Sequence, residues 1–443
     1  MERPGQVGSP VPIGQDLDCH SFGIVGSVTV HIVGAGLAGL AAAVRLTGQG
    51  RRVVIYEAAG HAGGRCRSFH DDRLDRRIDN GNHLLLSGNK QAMAYLGAVE
   101  SVDSFAQGER AVFAFLDLKN GQRWDVKPGR SRLPFWLFCK RMRVPESTAL
   151  DYLQGLKLAF AGADATIAAT FDKTRPLFRK FWEPLSVAVL NTNPDDAAAK
   201  LLWPVLKQTF GGGEAACRPC IAKQGLSESL IDPARRYIEL REGRIEFSKR
   251  LKTINFRSDG AESLVFADSE IKISNGDAVI LAVPADIAAQ LLPGSQFPSQ
   301  FRAIVNGHFL LSERIDHVRL LGLVGGVSQW LFVRDDVASI TISAADNLVE
   351  KSSQEIAATL WPEVSKALSL AEVSMGPYRI IKEKHATFAQ TPEQVRLRPG
   401  TKTKWANVFL AGDWTATGLP ATIEGAITSG HLAAEFVNAG RVP

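Results

Sequence analysis

The chain alternates between two kinds of hydrophobic spacing. Near its start, Val28 to Val33 is rich in β-branched residues and reads as a strand. It ends in Gly34-Ala-Gly36-Leu-Ala-Gly39, after which an Ala/Leu run to about Thr47 reads as a helix. Gly48 and Gly50 stop that helix, and Arg52 to Tyr56 forms a second strand closed by Glu57. More strands are expected in "GRIEFSKRLKTINF", in "GDAVILAVPA" and, as a pair, in "SQWLFVRDDVASITISAA". Between 146 and 210 apolar residues recur about every 3.6 positions and predict helices. One follows Pro145, one is N-capped by Asp164, and one follows Asn193. Near the C-terminus, "AGDWTATGLPATIEGA" (411–426) reads as a strand end at Gly412 and Asp413, a loop, and a helix opened by Thr422 and Ile423.

The first strand–helix–strand run has the form of a dinucleotide-binding unit. Gly34 would make the tight turn, Gly36 would let a pyrophosphate approach the backbone, and Gly39 would let helix and strand pack closely. Leu37 and Ala38, in the first helical turn, belong to the same cofactor-binding set. Glu57 can accept hydrogen bonds from a ribose diol and disfavours a 2′-phosphate, which points to FAD or NAD rather than NADP. "GHAGGRCRSF" follows directly. Its Gly63 and Gly64 permit a second close backbone approach, and Arg65 can meet phosphate. The C-terminal stretch supplies what a long, extended FAD would need at its other end. Asp413 would bond the ribityl and pyrophosphate region. The helix from Thr422 would aim N–H groups at the pyrimidine edge of the isoalloxazine, stabilising the reduced, anionic state.

At 443 residues the chain should form two lobes. The expected class is α/β, a Rossmann-like FAD-binding domain joined to a helix-rich α+β substrate domain. The cofactor lobe is expected from 28–100, 215–290 and 380–443, and the substrate lobe from 101–214 and 291–379. Leu251 is the candidate for a backbone contact to adenine. Residues 1–27, rich in Gly, Pro and polar residues without an apolar core, read as a loose leader. The net charge of +5 is mild and forms no nucleic-acid-binding stripe. Five scattered cysteines argue against a disulfide framework. The single Cys217-x-x-Cys220, with no second pair or His partner, is a weak metal signal, and no metal is expected. No apolar run approaches the ~18 residues of a membrane-spanning helix.

These motifs together resemble the amine oxidase and phytoene desaturase superfamily of FAD enzymes. More narrowly they resemble the squalene-associated FAD-dependent desaturases. The narrower resemblance is carried by "RIDNGNHLLLSGN" (77–89), "FWEPLSVAVLNTNP" (181–194), "GGGEAACRPCIAKQGLSESLIDPA" (211–234), "FRAIVNGHF" (301–309), "LVGGVSQWLFVR" (323–334) and "GDWTATGLPATIEGAITSG" (412–430). Gly60 and His61 stand where the superfamily often carries an arginine. The resemblance implies reductive dehydroxylation of hydroxysqualene to squalene, for bacterial hopanoid or related triterpenoid synthesis, with an unidentified electron donor. The alternatives are a carotenoid-type desaturase, another amine-oxidase-superfamily enzyme, and a flavoprotein that carries lipid.

An allylic hydroxyl leaves well only when protonated or strongly hydrogen-bonded, so one acid near the flavin is required. In the superfamily the corresponding glycine loop lies beside the isoalloxazine, which makes Gly81, Asn82 and His83 candidates for cofactor contact. His83 is the candidate acid, with Asn82 as a donor; Asp79 and His83 are equally candidates for merely bracing the loop. Glu183 is a further catalytic candidate or a buried ion-pair partner. Asn191 and His308 are lesser ones, His308 reading more readily as a core histidine. A hydrocarbon substrate implies contact with lipid. The segments 131–145 and 175–185, which set aromatics beside cations, are expected either at a membrane or in the core. The expected location is the cytoplasm, peripherally at the inner face of the cytoplasmic membrane.

Overall fold

The computed structural model describes residues 28–131, 135–315, 320–370 and 374–439. The leader expected at 1–27 lies outside them.

One sheet has five parallel strands in the spatial order Arg244–Glu246, Arg52–Tyr56, Thr29–Val33, Ala278–Leu281 and Val408–Leu410. Its inner strands bury apolar residues on both faces, Val30, Ile32, Val53, Ile55 and Ile280 on one and Val33, Val279 and Leu281 on the other. That continuous apolar character suits a parallel sheet covered on both sides. The helix Leu37–Thr47 packs against it together with the last helix, Ile423–Ala439. The two helices touch where Gly430 meets the carbonyl of Ala38, a contact with no room for a Cβ. Val33, Tyr56, Leu281 and Leu410 all end at the same edge of the sheet. Ligands of open α/β sheets bind at that carboxyl edge.

A second sheet of seven strands runs in the order Tyr378–Phe388, Phe301–Leu310, Val337–Ile342, Trp330–Arg334, Leu320–Val324, Phe113–Asp117 and Arg123–Val126. Neighbours are antiparallel except Leu320–Val324 with Phe113–Asp117. The helix Ser353–Leu368 covers it, burying Ile356, Leu360 and Val364. The strand Tyr378–Phe388 thus lies in this second sheet, on the far side of the division expected at 380. The expected pair within "SQWLFVRDDVASITISAA" is the hairpin Trp330–Arg334 and Val337–Ile342.

Residues 146–210 are helical but broken. Short helical pieces run Ala149–Leu153, Gln154–Phe160 and Ile167–Thr170, and a π-turn Phe178–Trp182 leads into the α-helix Glu183–Leu190. The pieces pack tightly: the ring of Trp182 sits so close to Gly155 that an added Cβ would lie 2.7 Å from it. Asp164 does not cap a helix as expected. Thr166 does, its Oγ1 accepting from the Ala169 N–H at 3.2 Å, while Asp164 pairs with Arg396. After Asn193 the chain turns through Pro194 and Asp195, and the α-helix starts only at Leu202.

Candidate active site

Two glycine loops meet at the carboxyl edge of the parallel sheet. Gly34 has φ +106°, and any Cβ there would strike the carbonyl of Ala282, so only glycine fits the turn. At Gly36, which precedes the helix, a Cβ would find nothing within 4 Å; the loop faces open space. The carbonyl of Ala35 accepts from the Gly63 N–H at 2.9 Å, and Gly64 stands over Gly36. Leu37, Ala38 and Gly39 follow in the first helical turn, Gly39 against the carbonyl of Gly34. Glu57 lies beside them. Its two carboxylate oxygens accept from the N–H groups of Ala35 (2.7 Å) and Ala59 (2.8 Å), and each retains a free lone pair. The backbone of Lys249 donates to the Glu57 carbonyl at 2.8 Å, which brings Leu251 to this end of the sheet.

Arg65 and Asp413 converge on the same place. Their side chains pair at 2.9 Å, and Arg65 also donates to the Ala386 carbonyl. Asp413 is buried, whereas the Arg65 side chain is 42% exposed. The nearby carboxylate of Asp413 raises the Arg65 pKa above its ordinary value. Gly412 donates its N–H to Ser429 Oγ at 2.8 Å, which ties the strand end to the last helix. Thr422 Oγ1 accepts from the Gly425 N–H at 3.2 Å, capping the turn into which Ile423 leads. Glu424 is buried, and its carboxylate accepts from the N–H groups of Gln91 (3.0 Å) and Ala92 (2.8 Å) at the start of the helix Lys90–Ala98. A carboxylate there satisfies orphan donors and faces the positive helix end.

The loop from Asp79 to His83 is held from several sides. Asp79 accepts from Ser68 Oγ (2.5 Å) and from the Leu226 N–H (2.9 Å), and pairs with Arg334 at 3.0 Å. A hydrogen-bond chain runs from Asn82 Nδ2 to Thr341 Oγ1 (3.0 Å), from that hydroxyl to Asn306 Oδ1 (2.8 Å), and from Asn306 Nδ2 to the Asn80 carbonyl (3.3 Å). A Cβ on Gly81 would lie 3.2 Å from Asn306. Asp79 therefore braces the loop. His83 is half-buried and makes no hydrogen bond to another described residue. Desolvation lowers its pKa to about 4; Asp79 opposes this and Arg65 adds to it. Its imidazole is neutral at pH 7.

Glu183 is not brought to this loop. Burial raises its pKa, and its charged neighbours are Arg179, Asp195 and Lys173, the last two forming a surface pair. Asn191 is structural. It sits in the left-handed region at a helix end, donates to Thr387 Oγ1 (3.0 Å), and accepts from the Ala344 N–H (2.7 Å). His308 is buried, with Nδ1 2.8 Å from Ser339 Oγ, and lies near Asp79, as a core histidine of the second sheet. Cys217 and Cys220 are buried thiols whose pKa values are pushed up to about 12 and about 11 by desolvation.

The sequence profile of flavin-containing amine oxidoreductases matches residues 37–438. A hydroxysqualene dehydroxylase of Sinorhizobium fredii is 43% identical over 92% of this chain and 97% of its own. One of Rhodopseudomonas palustris is 42% identical over 93% of this chain and 98% of its own. The chain belongs to the hydroxysqualene dehydroxylase family. A 15-cis-phytoene desaturase of Solanum lycopersicum is a distant relative of the family member described here, 23% identical over 92% of this chain and 77% of its own. The crystal structure of an oxidoreductase from Methanosarcina mazei shares the fold, with a TM-score of 0.71 at 15% identity, covering 92% of this chain and all of the other.

The residues of this hydroxysqualene dehydroxylase family member fit FAD. The open space over Gly36, the spare lone pairs of Glu57 and the solvent-reached guanidinium of Arg65 lie along one edge of the sheet. The Asp413 loop and the last helix close that edge. Four contributors carried little or no local signal in the sequence. Arg398 is buried and donates to the carbonyls of Asp413 (3.3 Å), Trp414 (3.3 Å) and Thr415, clamping the loop. Burial lowers its pKa to about 10. Arg334 balances Asp79. Asn306 and Thr341 support the glycine loop; only the polar i, i+2 pair Asn306 and His308 in an apolar strand hinted at it.

Proposed function

We propose that the protein reduces hydroxysqualene to squalene with FAD: hydride enters at carbon, the hydroxyl leaves, and one proton makes it water. The similarity to hydroxysqualene dehydroxylases over nearly the whole chain carries this reading. Bound FAD, once reduced, supplies the hydride. Gly34, Gly36, Leu37, Ala38, Gly39, Glu57 and Leu251 are proposed to hold its adenosine and pyrophosphate. Gly63, Gly64, Arg65, Gly412 and Asp413 would hold its middle, and Gly81, Asn82, His83, Thr422 and Ile423 the flavin end.

The chain's own catalytic task is to place the hydroxyl, hold its proton and exclude water. His83 suits this role, being solvent-reached, unpaired and fixed beside a braced loop. Neutral at pH 7, it orients the hydroxyl through its N–H. An anion brought beside it raises its pKa, so that the ring takes up a proton from solvent, and the imidazolium so formed is the acid that gives that proton to the leaving hydroxyl. Asn82 has one amide hydrogen left after its bond to Thr341. Glu183, with its surface-pair neighbours, is a weaker candidate.

The reductant is proposed to be a separate electron donor, because the sequence carries one dinucleotide fingerprint. The division into a cofactor lobe (28–100, 215–290, 380–443) and a substrate lobe (101–214, 291–379) is proposed with it, except that the strand Tyr378–Phe388 goes with the sheet of the substrate lobe. No helix of the described residues is long and apolar enough to cross a membrane. Peripheral work at the inner membrane face is proposed because the substrate is hydrocarbon. The deciding experiment is anaerobic turnover of hydroxysqualene by chemically reduced enzyme, with products identified by mass. Squalene is expected. Failure to form it, with oxidation of a polyene precursor instead, would replace this reading with a desaturase.

A further inference from the structure

The segment 135–160 turns apolar residues both toward the core and toward solvent. Trp136, Leu137, Tyr152 and Leu158 point inward, the rings of Trp136 and Tyr152 meeting edge to face at 5.3 Å. Phe135, Phe138, Leu150, Leu153, Leu156 and Phe160 point outward, with Phe138 80% and Phe160 89% exposed. The turn Phe135–Phe138 packs on Ala149–Leu153, which continues directly into Gln154–Phe160, so the six form one surface. Helices that are apolar all round are normally buried, and a contiguous exposed apolar patch marks an interaction surface.

Within the segment the charges without a partner of opposite sign are all positive, and the exposed Asp172 beside Gln154 is paired with Arg175. Lys140, Arg141 and Lys157 are exposed beside it. The two acids of the segment are occupied: Glu146 is bonded to Lys180 at 2.9 Å, and Asp151 is buried, bonded to Thr148. Protein interfaces deplete lysine, whereas aromatics and leucines flanked by Lys and Arg suit the headgroup boundary of an anionic bilayer.

We propose that 135–160 is the face by which the protein docks on an anionic lipid bilayer. The proposal deepens the peripheral placement above, and rests on that reading for its purpose, delivery of a bilayer-dissolved substrate. It also separates the two aromatic–basic segments. The segment 175–185 turns inward, with Leu177, Phe178, Lys180, Phe181 and Trp182 all buried, so it offers no lipid contact. Trp136 packs on Tyr152, so the outward Phe138 and Phe160 are the residues to change.

The test is flotation of the full-length holoenzyme with phosphatidylglycerol/phosphatidylcholine vesicles and with phosphatidylcholine alone. We expect binding to the anionic vesicles, at least a tenfold loss in F138S/F160S, and a loss of similar size in K140E/R141E. The control F178S, at a buried site, reports folding damage by its melting curve. Turnover of detergent-dispersed hydroxysqualene should be unchanged in F138S/F160S, while turnover of vesicle-borne substrate falls. Undiminished vesicle binding by F138S/F160S overturns the proposal. So does absence of wild-type binding, including the case where gel filtration shows a dimer that F138S/F160S breaks, which assigns the face to a second copy. Vesicle binding without any hydroxysqualene turnover sinks the proposed reaction and leaves the docking face standing.

Discussion

Arg65 and Asp413, 348 positions apart, pair at 2.9 Å where the second glycine loop meets the end of the last strand. This pair joins the two ends of the chain across the carboxyl edge of the sheet, and Arg398 holds the Asp413 side from behind. The proposed flavin site would therefore draw on both the N-terminal and the C-terminal parts of the chain. Asp413→Asn removes a charged partner while keeping the shape. It should cost on the order of 1–3 kcal/mol in the bonds it weakens, seen as a lower flavin content after purification and weaker FAD binding on titration. Normal FAD affinity in this variant would contradict the assignment.

His83, one proposed contact among many to the cofactor, should matter far more for turnover than for cofactor retention. Removing a positioned proton donor typically slows a reaction by ~10²-fold or more. His83→Ala is expected to show that loss while its visible flavin spectrum and FAD stoichiometry stay normal. Wild-type turnover in this variant would assign the proton to another group.

Asp79→Asn should damage the glycine loop through its supports. Arg334 would keep its charge without its carboxylate, and breaking a largely buried pair costs on the order of 3 kcal/mol. The measurement is a denaturant midpoint compared with that of the double variant Asp79→Asn/Arg334→Met. The double variant should recover part of the loss, because it removes the stranded charge.

Stability should fall between pH 6.5 and pH 4. Burial holds His83, His308 and His431 near a pKa of about 4, below their ordinary 6.5. As the pH drops through that window the unfolded chain takes up protons that the folded chain refuses. Each histidine then contributes a slope of up to about 1.4 kcal/mol per pH unit, with the stability complete above pH 6.5 and lost below about 4. Glu424, whose pKa is raised by burial, works in the opposite sense at the acid end. Urea midpoints across this range test it, and His431→Gln should flatten the slope by one proton.

The helix contact is testable apart from chemistry. Gly430 has no room for a side chain against the Ala38 carbonyl, so Gly430→Val should destabilise by about 1–3 kcal/mol, read from thermal or urea unfolding.

Local spacing was enough for the first unit of this protein. The strand at Thr29–Val33, the glycines at 34, 36 and 39, the helix to Thr47 and the acid at 57 are neighbours in the chain, and their backbone needs are local. The helix at Ile423 was legible for the same reason, through its small residues and a capping threonine. Partners far apart in the chain were not. Nothing near Arg398 announces that it will clamp residues 413–415, nor does Arg334 announce Asp79, 255 positions away. The direction in which an aromatic points was equally hidden. The segments 131–145 and 175–185 read alike, yet the second fills the core and the first presents Phe135 and Phe138 to solvent. Periodicity specifies which residues share a face; which face meets the rest of the molecule is settled by packing between elements hundreds of residues apart.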